Sequence, residues 1–451
     1  MSFKEVTAKN FKGLKNVSLK KRFAMDGYAG VGTEAHIGDA FELSESFSTS
    51  PSNFIEYDYQ KEVRPFFQKP GLNEHSIGTH PELTGLNGVG MIHSQYAVTM
   101  FIDIRKSSRL SLLLPLEQAY VVKNRILQAC IDIVRALDGY PHRLMGDALM
   151  AFFGRSDVSK EDAIADAINA ASTLRLILMD YIFPSLNEDI GEQIDLGVRI
   201  GLDYGSEEEV IWGNFGLGES CEVTALGLPV DMTAKLQQLA DKNTAMLGQG
   251  ILDYIDFPEE YTKPKVKAGE ELKYIVPNIT NKEGRPINRR IRLLNMASYQ
   301  DLLPFKLNDK KMASAVLHPN QFNFECFVIE GDKEVVYNSV SRFLAKERSL
   351  RFKLSIYPGP GIGDLNIIFC KRNHGQEAKD DLSEDYSVRI VDNELIKVKN
   401  ANHLSLLRRG GYHELTLPEG TSFRGLHTME VIVRGDNDTL YYRNIIGVYI
   451  K

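Results

Sequence analysis

Two aspartates carry most of the chemistry that can be read from this chain. Asp103 ends an apolar run, Val98-Thr99-Met100-Phe101-Ile102, and Asp147 follows Gly146 between Leu144-Met145 and the apolar stretch from Ala148 to Phe153. The first run reads as a strand buried on both faces. Gly-Asp between short apolar runs reads as the turn of a β-hairpin, which puts the second aspartate on the tip. An aspartate on such a tip can stand beside one that ends a neighbouring strand. Two carboxylates brought together repel unless they share a proton or hold cations, and paired divalent ions on carboxylate oxygens are the usual device for displacement at phosphorus. A Gly-Asp turn is also a common hairpin turn, so the dipeptides alone leave a purely structural reading open.

The elements that would position these residues follow from periodicity. Between Pro115 and Leu137, apolar residues at 116, 120, 127, 130, 134 and 137 form a helical stripe that stops at Asp138-Gly139, where glycine can take the left-handed cap. A second helix is expected from Ser159, capped together with Asp162, to about Ile182 ahead of Pro184. Ile194, Leu196, Val198, Ile200, Leu202 and Tyr204 alternate with polar residues or glycine, the pattern of a strand covered on one face. Another strand follows at about Val210 to Phe215. Leu228-Pro229 then opens a helix on which Asp231 and Lys235 share a face. This order predicts an α+β domain with helices on one side of a mixed sheet.

Composition sets the outer limits. A chain of 451 residues, 43% of them hydrophobic, can form two or three domains with more than one core. With 53 Lys and Arg against 60 Asp and Glu, the net charge of -7 offers no bulk attraction for nucleic acid or an anionic membrane. No run approaches the roughly 18 apolar residues of a membrane span, and MSFKEVTAKNFKG lacks a signal peptide's apolar core. A cytosolic protein without stable membrane association is expected. Cys130, Cys221, Cys326 and Cys370 have no metal-ligand spacing and read as reduced, mostly buried thiols.

Four regions are expected. Residues 1–92, with a turn cluster at Ser48-Thr49-Ser50-Pro51-Ser52-Asn53, read as an irregular N-terminal arm or small subdomain. Residues 93–262 form the domain holding the two aspartates. Residues 263–314 are charged and turn-rich, a linker with one connecting helix over 286–302. From 315 to 451, short strands separated by Gly, Asn, Asp and Pro turns predict an all-β sandwich.

Within 93–262, four stretches resemble the class III nucleotide cyclase catalytic domain in order and spacing. They are FIDI at 101–104, RLMGDALMAFFG at 143–154, VRIGLDYG at 198–205 and ALGLPVDMTAKL at 225–236. The resemblance implies that Asp103 and Asp147 hold two Mg²⁺ or Mn²⁺ ions per site, with the Ile104 carbonyl as a further ligand, around a nucleoside triphosphate. Ser107 and Ser108 would bring hydroxyls and N–H groups to the phosphates. Where the family commonly has asparagine and, four residues later, arginine, this chain has Asp231 and Lys235. The lysine can neutralise phosphate as a point charge. The aspartate either has a catalytic role or pairs with Lys235 as a helix salt bridge. Because sites of this family lie between two protomers, a homodimer is implied.

The base-reading positions also depart from purine cyclases. Arg143 stands where adenylate cyclases usually have lysine, Thr224 where they often have aspartate, and Tyr96 is placed to stack on a base. HRLMGDALMAFFG is particularly similar to the bacterial pyrimidine cyclases of Pycsar antiphage defence. Uracil offers acceptors at O2 and O4 to arginine's N–H groups and threonine's hydroxyl, whereas cytosine's amino group opposes an arginine. The expected reaction is therefore UTP to cyclic UMP and pyrophosphate, giving a second messenger for a cyclic-nucleotide effector. Alternatives are CTP, ATP or GTP as substrate, or a nucleotide sensor that has lost catalysis. Toward the end of the chain, RNHGQEA at 372–378 and FRGLHTMEVIV at 423–433 resemble the sensor domain found C-terminal to some adenylyl or guanylyl cyclases and SMODS nucleotidyltransferases. His427 and Glu430 are its candidate ligand contacts.

Overall fold

The computed structural model describes residues 2–12, 57–275, 280–306 and 315–451, except 79, 87, 89, 218–219, 286, 358, 360–361, 379–382, 393 and 436–437. The turn cluster at 48–53 lies outside the described residues. Helices α1 (Phe3–Phe11) and α2 (Asp58–Val63) come first. They are followed by β1 (Ile92–Ser94), β2 (Ala97–Arg105), α3 (Ser108–Leu113), α4 (Leu116–Ala136), β3 (Tyr140–Met145) and β4 (Ala148–Phe153). Next come α5 (Lys160–Ile177), α6 (Phe183–Ile190), β5 (Gly197–Gly205), β6 (Ile211–Leu217), β7 (Ser220–Leu226), α7 (Leu228–Leu239) and β8 (Thr244–Gly248).

The central sheet is mixed, as expected. From the strand Arg289–Leu294 its order is β8, β5, β2, β4, β3, and β5 runs parallel to β8 while the neighbouring pairs are antiparallel. Strand alternation sorts its side chains. Val98, Met100, Ile102 and Ile104 of β2 face Ile126 and Ile133 of α4 and Ile164 and Ile168 of α5 in one core. Helix α7 lies on the opposite face, which corrects the expectation of helices on one side only. Its Met232 and Leu236 form a separate core with Met246, Ile291 and Leu293. The approach is close: a Cβ on Gly201 of β5 would stand 2.4 Å from the Thr233 carbonyl oxygen and 2.5 Å from Gln237 N.

Three local expectations change for identifiable reasons. At the end of α4 it is Asp138, at φ 58°, and not Gly139 that takes the left-handed conformation. Its carboxylate is held there by Arg64 Nη1 at 2.7 Å and Lys69 Nζ at 2.9 Å. Helix α5 starts where Ser159 Oγ accepts from Asp162 N at 3.2 Å, but the helical path continues beyond Ile182. A wider turn over Leu178–Ile182 leads into α6, with Pro184 in the first turn, where its missing N–H costs nothing. Residues 289–294 form a strand rather than part of a connecting helix. Alternate burial of Ile291 and Leu293 seats them against β8, and only Met296–Gln300 is helical. The span expected as linker therefore contributes to the sheet, with Thr262 and Lys263 also paired to Leu294 and Leu293.

The described part of the N-terminal arm is ordered by polar contacts. Ser2 and Glu5 form a reciprocal capping box on α1. Asp132 of α4 caps α2, accepting from Tyr59 N at 2.8 Å and Gln60 N at 3.3 Å. Lys69 bridges Asp138 and Asp166, tying the arm to both α4 and α5.

The C-terminal region is the expected sandwich. Among the described residues one sheet has the order 333–337, 322–330, 349–356, 412–420, 405–409. The other has the order 343–344, 440–450, 425–434, 365–372, 384–391, 394–399. Phe324, Phe352, Phe369, Val388, Val431 and Tyr442 fill the space between them. Among the described residues no helix is long and apolar enough to cross a membrane. Cys130, Cys326 and Cys370 are buried and Cys221 is exposed, all free thiols.

Burial pushes the Asp132 carboxyl up to about 6, against the opposing effect of its hydrogen bonds from Gln60 and Tyr59. The folded state thus holds this proton more tightly than the unfolded chain. The group favours folding most below about pH 4, and that contribution is lost as pH rises through 6. Asp132→Asn keeps an acceptor for α2 and removes the titration. Urea denaturation from pH 4 to 7 should show the variant gaining on the wild type by up to about 3 kcal/mol as pH rises. A difference independent of pH would contradict this.

Candidate active site

Strand β2 pairs with β4 on one side and β5 on the other, and the register sets Asp103 opposite Ala148 and opposite Arg199. Met145 pairs with Ala148, so Gly146 and Asp147 are a two-residue turn. Gly146, at φ 66°, supplies the positive first position that a type II′ turn requires. Asp147 thus adjoins the residue directly across from Asp103, and the two expected aspartates lie at one end of the sheet. Each has its own restraint. Arg199 donates to Asp103 Oδ2 from Nε at 3.1 Å and from Nη2 at 2.5 Å. The Ser107 hydroxyl donates to Asp147 Oδ2. Ser107 is buried at the start of α3, and Ser108 beside it is exposed.

The donor set suits a hard divalent cation. Two carboxylates and the Ile104 carbonyl offer oxygen ligands only, the preference of Mg²⁺ and Mn²⁺. The Arg199 guanidinium already places positive charge against Asp103, as a bound cation would. Among the described residues no group of three or more His, Cys, Asp and Glu side chains could hold a metal. Ions here would therefore rely on these two carboxylates, the carbonyl and the substrate's own phosphates.

Asp231 and Lys235 are exposed on α7, the helix over the same face of the sheet as Asp103. Among the described residues no ion pair joins them, so the helix salt bridge does not account for Asp231. Tyr96 is a correction. It is 8% exposed, and its hydroxyl donates to the Arg155 carbonyl at 2.9 Å and the Val158 carbonyl at 2.7 Å. Its ring packs beneath Gly154 and toward Tyr204, which leaves no face for a base. Arg143 is half-exposed, and its Nη2 is bound to Glu222. Thr224 is engaged with His142 Nε2 at 3.0 Å.

Both sensor-side candidates have partners within the sandwich. His427 is buried, with Nε2 on the Phe423 carbonyl at 2.8 Å and Nδ1 accepting from His374 N at 3.2 Å. Burial lowers its pKa to about 4. Glu430 accepts from Arg443 Nε at 2.5 Å.

Three residues in this region escaped the sequence reading: Arg199, His142 and Glu222. Arg199 sits at a polar position of the alternating 194–204 run. The spacing of Glu222 and Thr224, two apart, was the available sign that both face one way on a strand.

Residues 304–451 match the family described as the Adenylyl/Guanylyl and SMODS C-terminal sensor domain. A cytidylate cyclase from Escherichia coli is 86% identical over 451 residues, covering 100% of both chains. The chain is a class III nucleotide cyclase. A cytidylate cyclase from Staphylococcus aureus is 30% identical over 424 residues, covering 89% of this cyclase and 92% of the relative. Among solved structures, the adenylyl cyclase CyaB from P. aeruginosa is similar at 19% identity with a TM-score of 0.38, covering 45% of this cyclase and 95% of that chain.

In this cyclase Asp103→Asn or Asp147→Asn removes the carboxylate charge while keeping the side chain's shape. Either should cut turnover by roughly a thousandfold, the equivalent of several kcal/mol of lost stabilisation. The circular dichroism spectrum should not change. Near-normal turnover in either variant would exclude it from the cation site.

Proposed function

We propose that this cyclase converts CTP to cyclic CMP and pyrophosphate. The observation that carries the reading is the identity of 86% along the full chain with a relative named a cytidylate cyclase. The case for UTP took Arg143 without its partner, and Arg143 Nη2 is bound to Glu222.

In the reaction the ribose 3′-oxygen attacks the α-phosphorus in line. A bond forms between them as the bond from the α-phosphorus to the bridging oxygen breaks, the hydroxyl proton leaves to water, and pyrophosphate departs. Asp103, Asp147 and the Ile104 carbonyl would hold two Mg²⁺ or Mn²⁺ ions, which when bound acidify the 3′-hydroxyl and neutralise the triphosphate. Arg199 orients Asp103, and Ser107 orients Asp147. Ser108 offers its exposed hydroxyl to phosphate. Lys235 adds a point charge for the leaving pyrophosphate, and Asp231 offers a carboxylate to a ribose hydroxyl.

The site is shared between two copies of the chain, Asp103 and Asp147 from one and Asp231 and Lys235 from the other. Apolar side chains left on the surface around β6 and β7 support this: Leu217 is 86% exposed, Phe215 45%, Leu226 43% and Leu228 42%. The cyclic nucleotide acts as a second messenger for an effector in antiviral defence, with the C-terminal sensor domain governing its release.

Two experiments test these readings. Incubation with each of the four nucleoside triphosphates and Mn²⁺, with products identified by mass, should give cyclic CMP as the main product. Predominant cyclic UMP would overturn the substrate assignment. Mixing Asp103→Asn and Lys235→Ala chains, each inactive alone, should restore about a quarter to a half of the activity through heterodimers with one intact site. No recovery despite proven subunit exchange would place each site within one chain.

A further inference from the structure

The inward faces of the sandwich change character at one end. Along 365–372 the core side chains Leu365, Ile367 and Phe369 are followed on the same face by Lys371, and along 412–420 Leu415 and Leu417 are followed by Glu419. The strand 384–391 repeats the switch, with Val388 and Tyr386 giving way to Glu384, which pairs with Lys371. Lys371 Nζ donates to Glu419 Oε2 at 2.9 Å, and the Tyr386 hydroxyl donates to Glu419 Oε1 at 2.7 Å. The Glu419 side chain is 11% exposed. Charges between two sheets are costly to desolvate, and apolar residues of similar volume would serve stability as well. A cavity of about 80 Å³ lies against this ion pair, walled by Leu350, Phe352, Met429, Val448 and Ile450. His427 is also in its wall, but both ring nitrogens are bound to backbone groups. The ammonium of Lys371 makes one side-chain hydrogen bond among the described residues, which leaves it further donors, and Glu419 keeps acceptor lone pairs.

We propose that this cavity is a regulatory site for an uncharged, single-ring heteroaromatic ligand with an acceptor beside an N–H donor, the chemistry of a pyrimidine base. Lys371 donates to the ring's acceptor and Glu419 accepts from its N–H or amino group. The two charges cancel, so the site has no net attraction for phosphate or another ion. Facing sheets about 10 Å apart leave a slot, which suits a flat ligand. A cavity of about 150 Å³ is filled by benzene, so the enclosed space here takes part of one ring and excludes a fused pair. The rest of the ligand reaches solvent past Lys371, whose side chain is 27% exposed. Two segments of the wall continue to the cyclase domain. Beyond Asn373, Gln376 N donates to Asp256 Oδ2, and beyond Phe423, Arg424 Nη2 donates to the Tyr254 carbonyl. The Tyr254 ring packs on Tyr204 of β5 with centroids 4.5 Å apart, at the end of that strand away from Arg199. Occupancy of the slot therefore changes the rate of cyclisation from outside the cation site.

The test is calorimetric titration of the full chain with uracil, cytosine and adenine, with turnover measured in parallel. Uracil or cytosine should bind once per chain, about tenfold or more tighter than adenine, and should change turnover. The double variant Lys371→Met with Glu419→Gln keeps both volumes and leaves no charge unpaired. It should weaken that binding about tenfold or more while basal turnover is kept. Leu350→Phe, which fills the slot from its apolar side and leaves the ion pair in place, should do the same. Binding of neither pyrimidine at millimolar concentration, or binding retained in both variants, would overturn the site. Equal binding of adenine would overturn the single-ring assignment, and binding without a change in turnover would overturn the regulatory role.

Discussion

Two carboxylates at the ends of adjoining strands repel each other, and the cyclase domain is organised to hold them together. The register of β2 with β4 and β5 resists the repulsion mechanically, and Arg199 and Ser107 offset it locally. The turn at Gly146 and Asp147 cannot slip by one residue without turning Leu149, Ala151 and Phe153 out of the core under α4 and α5. Hydrophobic burial on one face of the sheet thus fixes the charges on the other.

Helix α5 is one place where the remaining parts of the chain bear on the same sheet. Its Asp166 binds Lys69 of the N-terminal arm. From the sensor sandwich, Phe343 N donates to Asp162 at 2.7 Å, and Asn169 Nδ2 donates to the Val340 carbonyl at 2.8 Å. The Tyr299 hydroxyl donates to Asn169 Oδ1 at 2.9 Å and lies 2.9 Å from the Tyr449 hydroxyl. Val340, Phe343, Leu426 and Tyr449 of the sandwich also enter the core that contains Ile164 and Ile168. Close-packed interiors transmit displacement. The sandwich is thus packed directly on α5, which shares a core with the strand that carries Asp103.

What could be read from the sequence was what burial or backbone chemistry writes into local pattern. The strand before Asp103, the Gly-Asp turn, the capped start of α5 and the alternation of β5 all appear as such, because each is a short-range demand. The buried strands of the sandwich were equally legible. Its strands Glu394–Lys399 and Ser405–Arg409 were not, since they are largely exposed at sheet edges and carry little apolar alternation. Tertiary contacts were invisible for the same reason. Nothing local tells that Tyr96 is closed in by Arg155 and Val158, or that Arg143 faces a carboxylate on a strand some eighty residues away. The pyrimidine reading rested on the wording of the hairpin, whereas the choice of UTP rested on an arginine considered without its partner.

The central claim is that Asp103 and Asp147 together form one divalent-cation site. Mn²⁺ binding in the presence of a non-cleavable CTP analogue, counted by electron paramagnetic resonance, tests it most directly. A shared site requires two spin-coupled Mn²⁺ ions per active site in the wild type and loss of that coupled pair in Asp147→Asn. The same number of bound, coupled ions in the variant as in the wild type would contradict it.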